Sequence, residues 1–430
     1  GMAYAMGASA AWAVVGYIVV ELLLFLYYAP RIRRFSERFD CITVPDFFAE
    51  RFEDERGSLR VVLVLVIFLF MIGYVAGQFV GGGKAFAASF GLTPTAGVVV
   101  TAGIVLIYTM LGGFLAVSLT DMIQACFMIF ALVLLPVIAI ADRGGLPVLL
   151  SELRALDPSL IDPFALSAGA GLGFLGIGLG SPGNPHILAR YLSIDDPGQL
   201  RYSAVIGTVW NVVMAWGALF IGLAGRVYFP EVAMLPRADT ESLYPLLAQQ
   251  HLPPVLFGVV VASIFAAIMS TADSQLLVAA SAVVRDVYEK VLRRTEAVPQ
   301  RRLVLLSRLS ILVLVVLAVV FGLLADELVF WLVLFAWAGL GASLGPTLIL
   351  ALWWRRTTRA GVMAGVLTGT VTTVVWYLVP ALKSRMYELV PAFLLASLAT
   401  VLVSLATRPP VRSEALLAAM APPPNGKETV

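Results

Sequence analysis

Gly169-Ala-Gly-Leu-Gly-Phe-Leu-Gly-Ile-Gly-Leu-Gly-Ser-Pro-Gly-Asn-Pro185 sets a dense run of glycines, closed by two prolines, inside a stretch otherwise apolar enough to lie in a membrane. Glycine weakens a helix and proline removes a backbone donor, so this run predicts a broken helix with backbone carbonyls and amides left free at membrane depth. Backbone of that kind is tolerated there only beside a cavity or inside protein. The competing reading is close helix packing through small residues. Pro182 and Pro185, added to so many glycines, favour a break.

On both sides of this run the chain is strongly apolar. Of its 430 residues, 60% are hydrophobic and 13% charged, and the mean hydropathy is +0.93, well beyond the needs of a soluble core. Runs near the ~20 helical residues that cross ~30 Å of hydrocarbon cover 8–29, 62–90, 96–117, 122–141, 167–191, 203–228, 254–288, 303–325, 328–353, 360–380 and 386–407, eleven in all. These imply an all-α polytopic membrane protein, with a membrane domain over 1–407 and a Pro-rich, disordered cytoplasmic tail over 408–430. No Walker loop, His-Glu-x-x-His or nucleophile elbow is present, so the sequence points to no ATP hydrolysis and to no enzyme. A net charge of +2 implies no nucleic-acid partner. Cys41 and Cys126, one in a loop and one in a span, imply no disulfide framework.

The two longest runs, 62–90 and 254–288, are the second and seventh spans. An offset of five is odd, so two copies so related would lie in opposite orientation, as in the inverted repeats of many secondary transporters. The broken fifth span would then open the second repeat, and its counterpart would precede the first span. Charge agrees with that arrangement. Seven arginines from Arg31 to Arg60 follow the first span, and Arg285, Lys290, Arg293, Arg294, Arg301 and Arg302 follow the seventh, which places both loops in the cytoplasm. The first span therefore enters from outside with no basic region ahead of it, and the chain starts Gly1-Met2. The expectation is a fragment lacking an even number of upstream helices.

Ala267, Ser270 and Thr271 recur at i, i+3 and i+4 and share one helix face. Two hydroxyls, with carbonyls from an unwound helix, suit sodium, a hard cation that takes oxygen ligands. The alternative for these hydroxyls is back-bonding to the carbonyl four residues earlier. Asp121, at the cytoplasmic start of the fourth span, is placed either to meet a departing cation or to cap a helix N-terminus. Asp273 lies deeper and needs a partner, either a cation or an Arg from a neighbouring helix. Tyr74 and Gln78 share a face of the second span, suited to lining a solute cavity or to bonding between helices. Lys84 is the basic residue nearest that face, and His186, close to Arg190, reads as a structural hydrogen-bonder.

Thr43-Val-Pro-Asp-Phe-Phe-Ala-Glu-Arg-Phe52, Gly112-Gly-Phe-Leu-Ala-Val-Ser-Leu-Thr-Asp121, Gly183-Asn-Pro-His-Ile-Leu-Ala-Arg-Tyr191, Ala267-Ile-Met-Ser-Thr271 with Gln275-Leu-Leu-Val278, and Phe335-Ala-Trp-Ala-Gly-Leu-Gly-Ala-Ser-Leu-Gly-Pro346 together resemble the sodium:solute symporter family, in particular its bacterial sodium/proline branch. The resemblance implies a leucine-transporter-like fold of five plus five inverted helices with peripheral extras. Thirteen spans are usual in the branch, and eleven are found here. It implies a symporter of the cell inner (plasma) membrane that imports a small organic solute, proline first, by alternating access, with sodium as the coupling ion and no other cofactor. By the same resemblance, Ala267, Ser270 and Thr271 would supply the second-repeat half of a sodium site, with Asp121 and Ser274 on the inward exit route. Tyr74 matches an aromatic substrate-pocket position. With Gln78, Ile177 and Ser181 it completes the expected solute set, Ile177 and Ser181 standing where proline transporters carry an aromatic pair. Other amino acids, pantothenate, monocarboxylates and sugars are the rival solutes, and a transporter-like sensor module is the rival class.

Overall fold

The computed structural model describes residues 1–294, 298–324 and 329–422, and all regular structure among them is helical. The chain opens with α1 (Met2–Phe39), tightened to a 3-10 turn over Gly7–Ala11 and loosened to a π segment over Leu24–Tyr28. A loop helix, α2 (Val44–Arg51), is capped by Thr43, whose hydroxyl accepts from the Asp46 amide. It leads into α3 (Ser58–Phe90). That long helix starts after Gly57 at φ 69° and stops at Gly91 at φ 70°, left-handed positions that glycine adopts without strain. Next come α4 (Pro94–Leu111), α5 (Phe114–Asp142) and the loop helix α6 (Leu146–Leu156).

The fifth span is broken where the glycines and prolines fall. Helix α7 (Ala168–Gly176) passes into a 3-10 segment over Ile177–Gly183, and α8 (Pro185–Ser193) restarts at Pro185. Beyond it run α9 (Leu200–Tyr228), the loop helix α10 (Leu243–His251), α11 (Pro254–Leu292), α12 (Gln300–Leu324), α13 (Val329–Trp353), α14 (Arg359–Leu378) and α15 (Leu389–Ala406). Among the described residues ten helices are long and apolar enough to cross a membrane. The broken α7–α8 segment brings the total to the eleven anticipated spans.

Side chains cap the carbonyls that the break releases. Trp337 Nε1 donates to Ile177 O, Tyr28 Oη to Pro182 O and Asn184 Nδ2 to Gly180 O, each at 2.8 Å. Left unpaired in hydrocarbon, such groups are costly enough to forbid irregular backbone. The glycines serve a second purpose. A Cβ on Gly180 would fall 1.9 Å from Trp337 Nε1, and one on Gly178 would fall 2.3 Å from Gly16 O. Only their bare backbone lets α1 and α13 close over the break, so the two readings of the Gly169–Pro185 run, break and close packing, hold together.

At the Arg-rich end of the bundle, buried charges tie the loop to the helices. Arg60 pairs with Asp46 and Asp286, Arg285 pairs with Asp46, and Thr43 donates to Asp286. Part of the 408–430 stretch, expected to be disordered, carries a helix, α16 (Ser413–Ala418). Leu416 and Met420, four residues apart, are buried, and Ser413 Oγ donates to Arg355 O at 2.6 Å while accepting from Arg51 Nη2 at 3.2 Å. This apolar pair is diluted by the prolines around it in composition, yet it suffices to dock one turn of helix. Residues 423–430 lie outside the described residues.

Candidate ion and solute site

A cavity of about 560 Å³ lies between α1, α3, α5, α8, α9, α11 and α13. Ser270, Thr271 and Ser274 line it from α11, Asp121 from α5 and Tyr74 from α3, so five of the expected residues, from three separate helices, share one space. Ala267 takes part through its carbonyl, which accepts from Ser270 Oγ at 3.2 Å and Thr271 Oγ1 at 2.9 Å. These are the back-bonds expected of buried hydroxyls. Each bond uses the hydroxyl's proton and leaves its lone pairs free, and a cation needs only the lone pairs. Back-bonding and sodium ligation are therefore compatible at these two residues.

The inner part of the cavity is governed by Arg190, on α8. Its Nη2 donates to Asp121 Oδ2 and to Ser274 Oγ, both at 2.7 Å, and its Nη1 donates to His186 O at 2.9 Å. Ser274 Oγ donates to Ser270 O at 2.8 Å, which links the guanidinium to the Ser270 turn. Asp273 is fully buried beside it, and its Oδ2 has no partner among the described residues. Of the two partners expected for Asp273, a cation or an arginine, the nearby arginine pairs with Asp121. Lys84 is not the basic residue of the cavity, because it is held by Asp239 and Glu241 in the loop between α9 and α10.

The expected solute contacts divide. Tyr74 is the residue of α3 that lines the cavity, whereas Gln78, one turn further along, does not. Ile177 packs with Ala13, Phe174 and Leu334. Ser181 is fully buried inside the break. Neither lines the cavity, because the capped 3-10 segment is enclosed by protein. The wall is instead aromatic: Tyr74 stands edge-on to His186 with centroids 5.5 Å apart, and Trp337 lies 5.9 Å from Tyr17 and 6.5 Å from Tyr74. Sequence reasoning missed Glu21, on α1, which lines the cavity and accepts from Tyr17 Oη at 3.0 Å and from Asn211 Nδ2. A signal was available, since Glu21 is the one acidic residue in the 8–29 run.

Residues 1–369 match the profile of the sodium:solute symporter family. The chain belongs to the sodium:solute symporter family. It is 36% identical over 416 residues to the osmoregulated proline transporter OpuE of Bacillus subtilis (strain 168), covering 96% of this chain and 84% of that protein. Identity is 35% to the high-affinity proline transporter PutP of the same strain, with 95% and 86% covered, and 34% to a sodium/proline symporter of Staphylococcus aureus, with 95% and 82% covered. Among solved structures, a Na+-coupled sialic acid symporter in a substrate-bound outward-open state superposes with TM-score 0.76 at 20% identity, over 95% of this chain and 85% of that one. Mhp1, a nucleobase-cation-symport-1 family transporter, gives 0.53 at 13% identity, over 97% of this chain and 91% of that one. These likenesses speak for the fold, which is leucine-transporter-like with inverted repeats of five helices. This symporter is a multi-pass plasma-membrane protein and a secondary transporter rather than an enzyme, with sodium as its coupling ion.

Proposed function

We propose that this symporter imports proline, driven by inward movement of sodium, through alternating access about the cavity described above. The observation that carries the reading is the meeting of Ser270, Thr271, Ser274 and Asp121 with Tyr74 and Trp337 around one cavity. Oxygen ligands suit a hard cation, and a wall that sets Tyr17, Tyr74 and Trp337 beside polar groups suits a small cyclic solute with polar substituents. Proline as that solute is supported by the names of the relatives from Bacillus and Staphylococcus.

In this reading Ala267, Ser270 and Thr271 supply the second-repeat half of the sodium site. Asp121 and Ser274, with Arg190, form the route inward, and Tyr74 contributes to the solute wall. Gln78, Ile177 and Ser181, which do not line the cavity, take no part in it. The membrane potential adds ~2.3 kcal/mol per charge per 100 mV to the sodium gradient, so no covalent energy source is needed. The test is uptake of labelled L-proline into proteoliposomes under an inward gradient of sodium or of potassium. Accumulation above equilibrium with sodium alone is the expected result. Equal accumulation with potassium would overturn the coupling, and sodium-driven uptake of a different solute in place of proline would overturn the choice of solute.

A further inference from the structure

Glu21 is buried at membrane depth, where an ionisable side chain is costly and marks a functional site by default. Its two oxygens accept from Tyr17 Oη and from Asn211 Nδ2. Both partners are donors, the arrangement that suits an ionised carboxylate, which only accepts. No ion pair joins Glu21 to a Lys, Arg or His among the described residues, and Arg190, the basic residue lining the cavity, is engaged by Asp121. Tyr17, Tyr74 and Trp337 line the same cavity, and aromatic faces attract cations as well as covering an apolar ring. Trp210, which precedes Asn211, also lines it, and its Nε1, a group that can only donate, has no partner among the described residues. With Asp121 paired to Arg190, the cavity therefore offers the Glu21 carboxylate as a negative charge without an ion-pair partner among the described residues, together with aromatic walls and a spare donor.

We propose that Glu21 is the counter-ion for a protonated amine on the transported solute, so that the cavity selects zwitterions and excludes acids lacking an amine. The carboxylate takes the ammonium, and the Trp210 indole faces the solute's own carboxylate. This deepens the reading that the cavity carries the solute and rests on it. If Glu21 served only to bond α1 to α9, its loss would lower stability and the amount of active protein but would leave solute discrimination unchanged.

The experiment uses the purified symporter in proteoliposomes. Sodium-driven uptake of labelled L-proline is titrated against unlabelled proline and against tetrahydrofuran-2-carboxylate, which keeps ring and carboxylate but has no amine. The wild type should prefer proline by about 30-fold or more, the scale of a hydrogen bond to a charged group. With uptake normalised to folded transporter, Glu21→Gln should raise the proline KM about tenfold or more and collapse the preference. The sodium concentration for half-maximal uptake should stay in place. Equal inhibition of the wild type by the two compounds would overturn the proposal without need of any variant, as would an unchanged KM and preference in Glu21→Gln. Uptake of another protonated amine in place of proline, with its KM raised by Glu21→Gln, would support the proposal and discard proline alone. Sodium-driven uptake confined to amine-free solutes would overturn both.

Discussion

Arg190 Nη2 lies 2.7 Å from Asp121 Oδ2 and 2.7 Å from Ser274 Oγ, so one guanidinium joins α5 to α11 at the inner part of the cavity. It holds a positive charge where a sodium ion leaving the Ser270–Thr271 turn would meet its first carboxylate. Along the proposed route, a fixed cation there would compete with the mobile one.

Arg190→Gln should therefore strengthen sodium binding and slow sodium release. With the guanidinium gone, Asp121 loses its ion-pair partner, and buried Asp273 beside it still lacks a partner for Oδ2. The sodium concentration for half-maximal uptake should fall at least about fivefold, the lower end of an ordinary coupling between sites, while the maximal rate drops because release becomes limiting. Sodium titration of uptake reads both quantities, and a weakened sodium dependence would contradict the role given to Arg190.

Gly180→Ala should cripple the break. The added methyl would lie 1.9 Å from Trp337 Nε1, displacing the indole that caps Ile177 O. Overpacking of this kind costs roughly 1–3 kcal/mol and here also uncaps a carbonyl. A lowered thermal midpoint and lost uptake are expected, beside a Gly103→Ala control whose methyl would meet nothing within 4 Å. Near-normal midpoint and uptake in Gly180→Ala would show that the close approach is dispensable.

Asp46 links α2 to α3 and α11 through Arg60 at 2.5 Å and Arg285 at 2.9 Å. Burial opposes its charged form, but the two guanidiniums prevail and hold the carboxyl below its ordinary value. A depressed value in the folded state gives stability that is present above the unfolded carboxylate value near ~3.9 and lost as pH falls through the folded one. Asp46→Asn should thus lower the thermal midpoint at about pH 5, with a cost of up to roughly 3 kcal/mol, the lower end for breaking a buried pair, since Arg60 keeps Asp286 as a partner. The gap to the wild type should narrow as pH falls below about 4, and a gap that stays undiminished there would contradict the assignment.

What the sequence disclosed and what it hid follow one physical rule. The Gly169–Pro185 break and the Ala267–Ser270–Thr271 face are local, since residues within a few positions settle backbone conformation and helix face, and both were legible. Trp337 caps a carbonyl 160 residues away, Arg190 pairs with Asp121 69 residues away, and Asn211 reaches Glu21 across 190. No periodicity reports such distances. Gln78 shares the helix face of Tyr74 but stands one turn beyond the cavity lining. Ile177 and Ser181 sit in a correctly placed break, but capping by Trp337, Tyr28 and Asn184 turned that backbone into enclosed structure rather than cavity wall.

The most direct test of the account is the sodium dependence of proline uptake in the double variant Ser270→Ala, Thr271→Ala. Both hydroxyls donate to Ala267 O, and losing a back-bond costs only about 1 kcal/mol, so the variant should fold and keep its thermal midpoint close to that of the wild type. If their lone pairs hold the coupling ion, uptake should lose its sodium dependence, with half-maximal concentration raised more than about tenfold, ~1.4 kcal/mol or more of binding. A folded double variant that accumulates proline with the sodium dependence of the wild type would contradict the account.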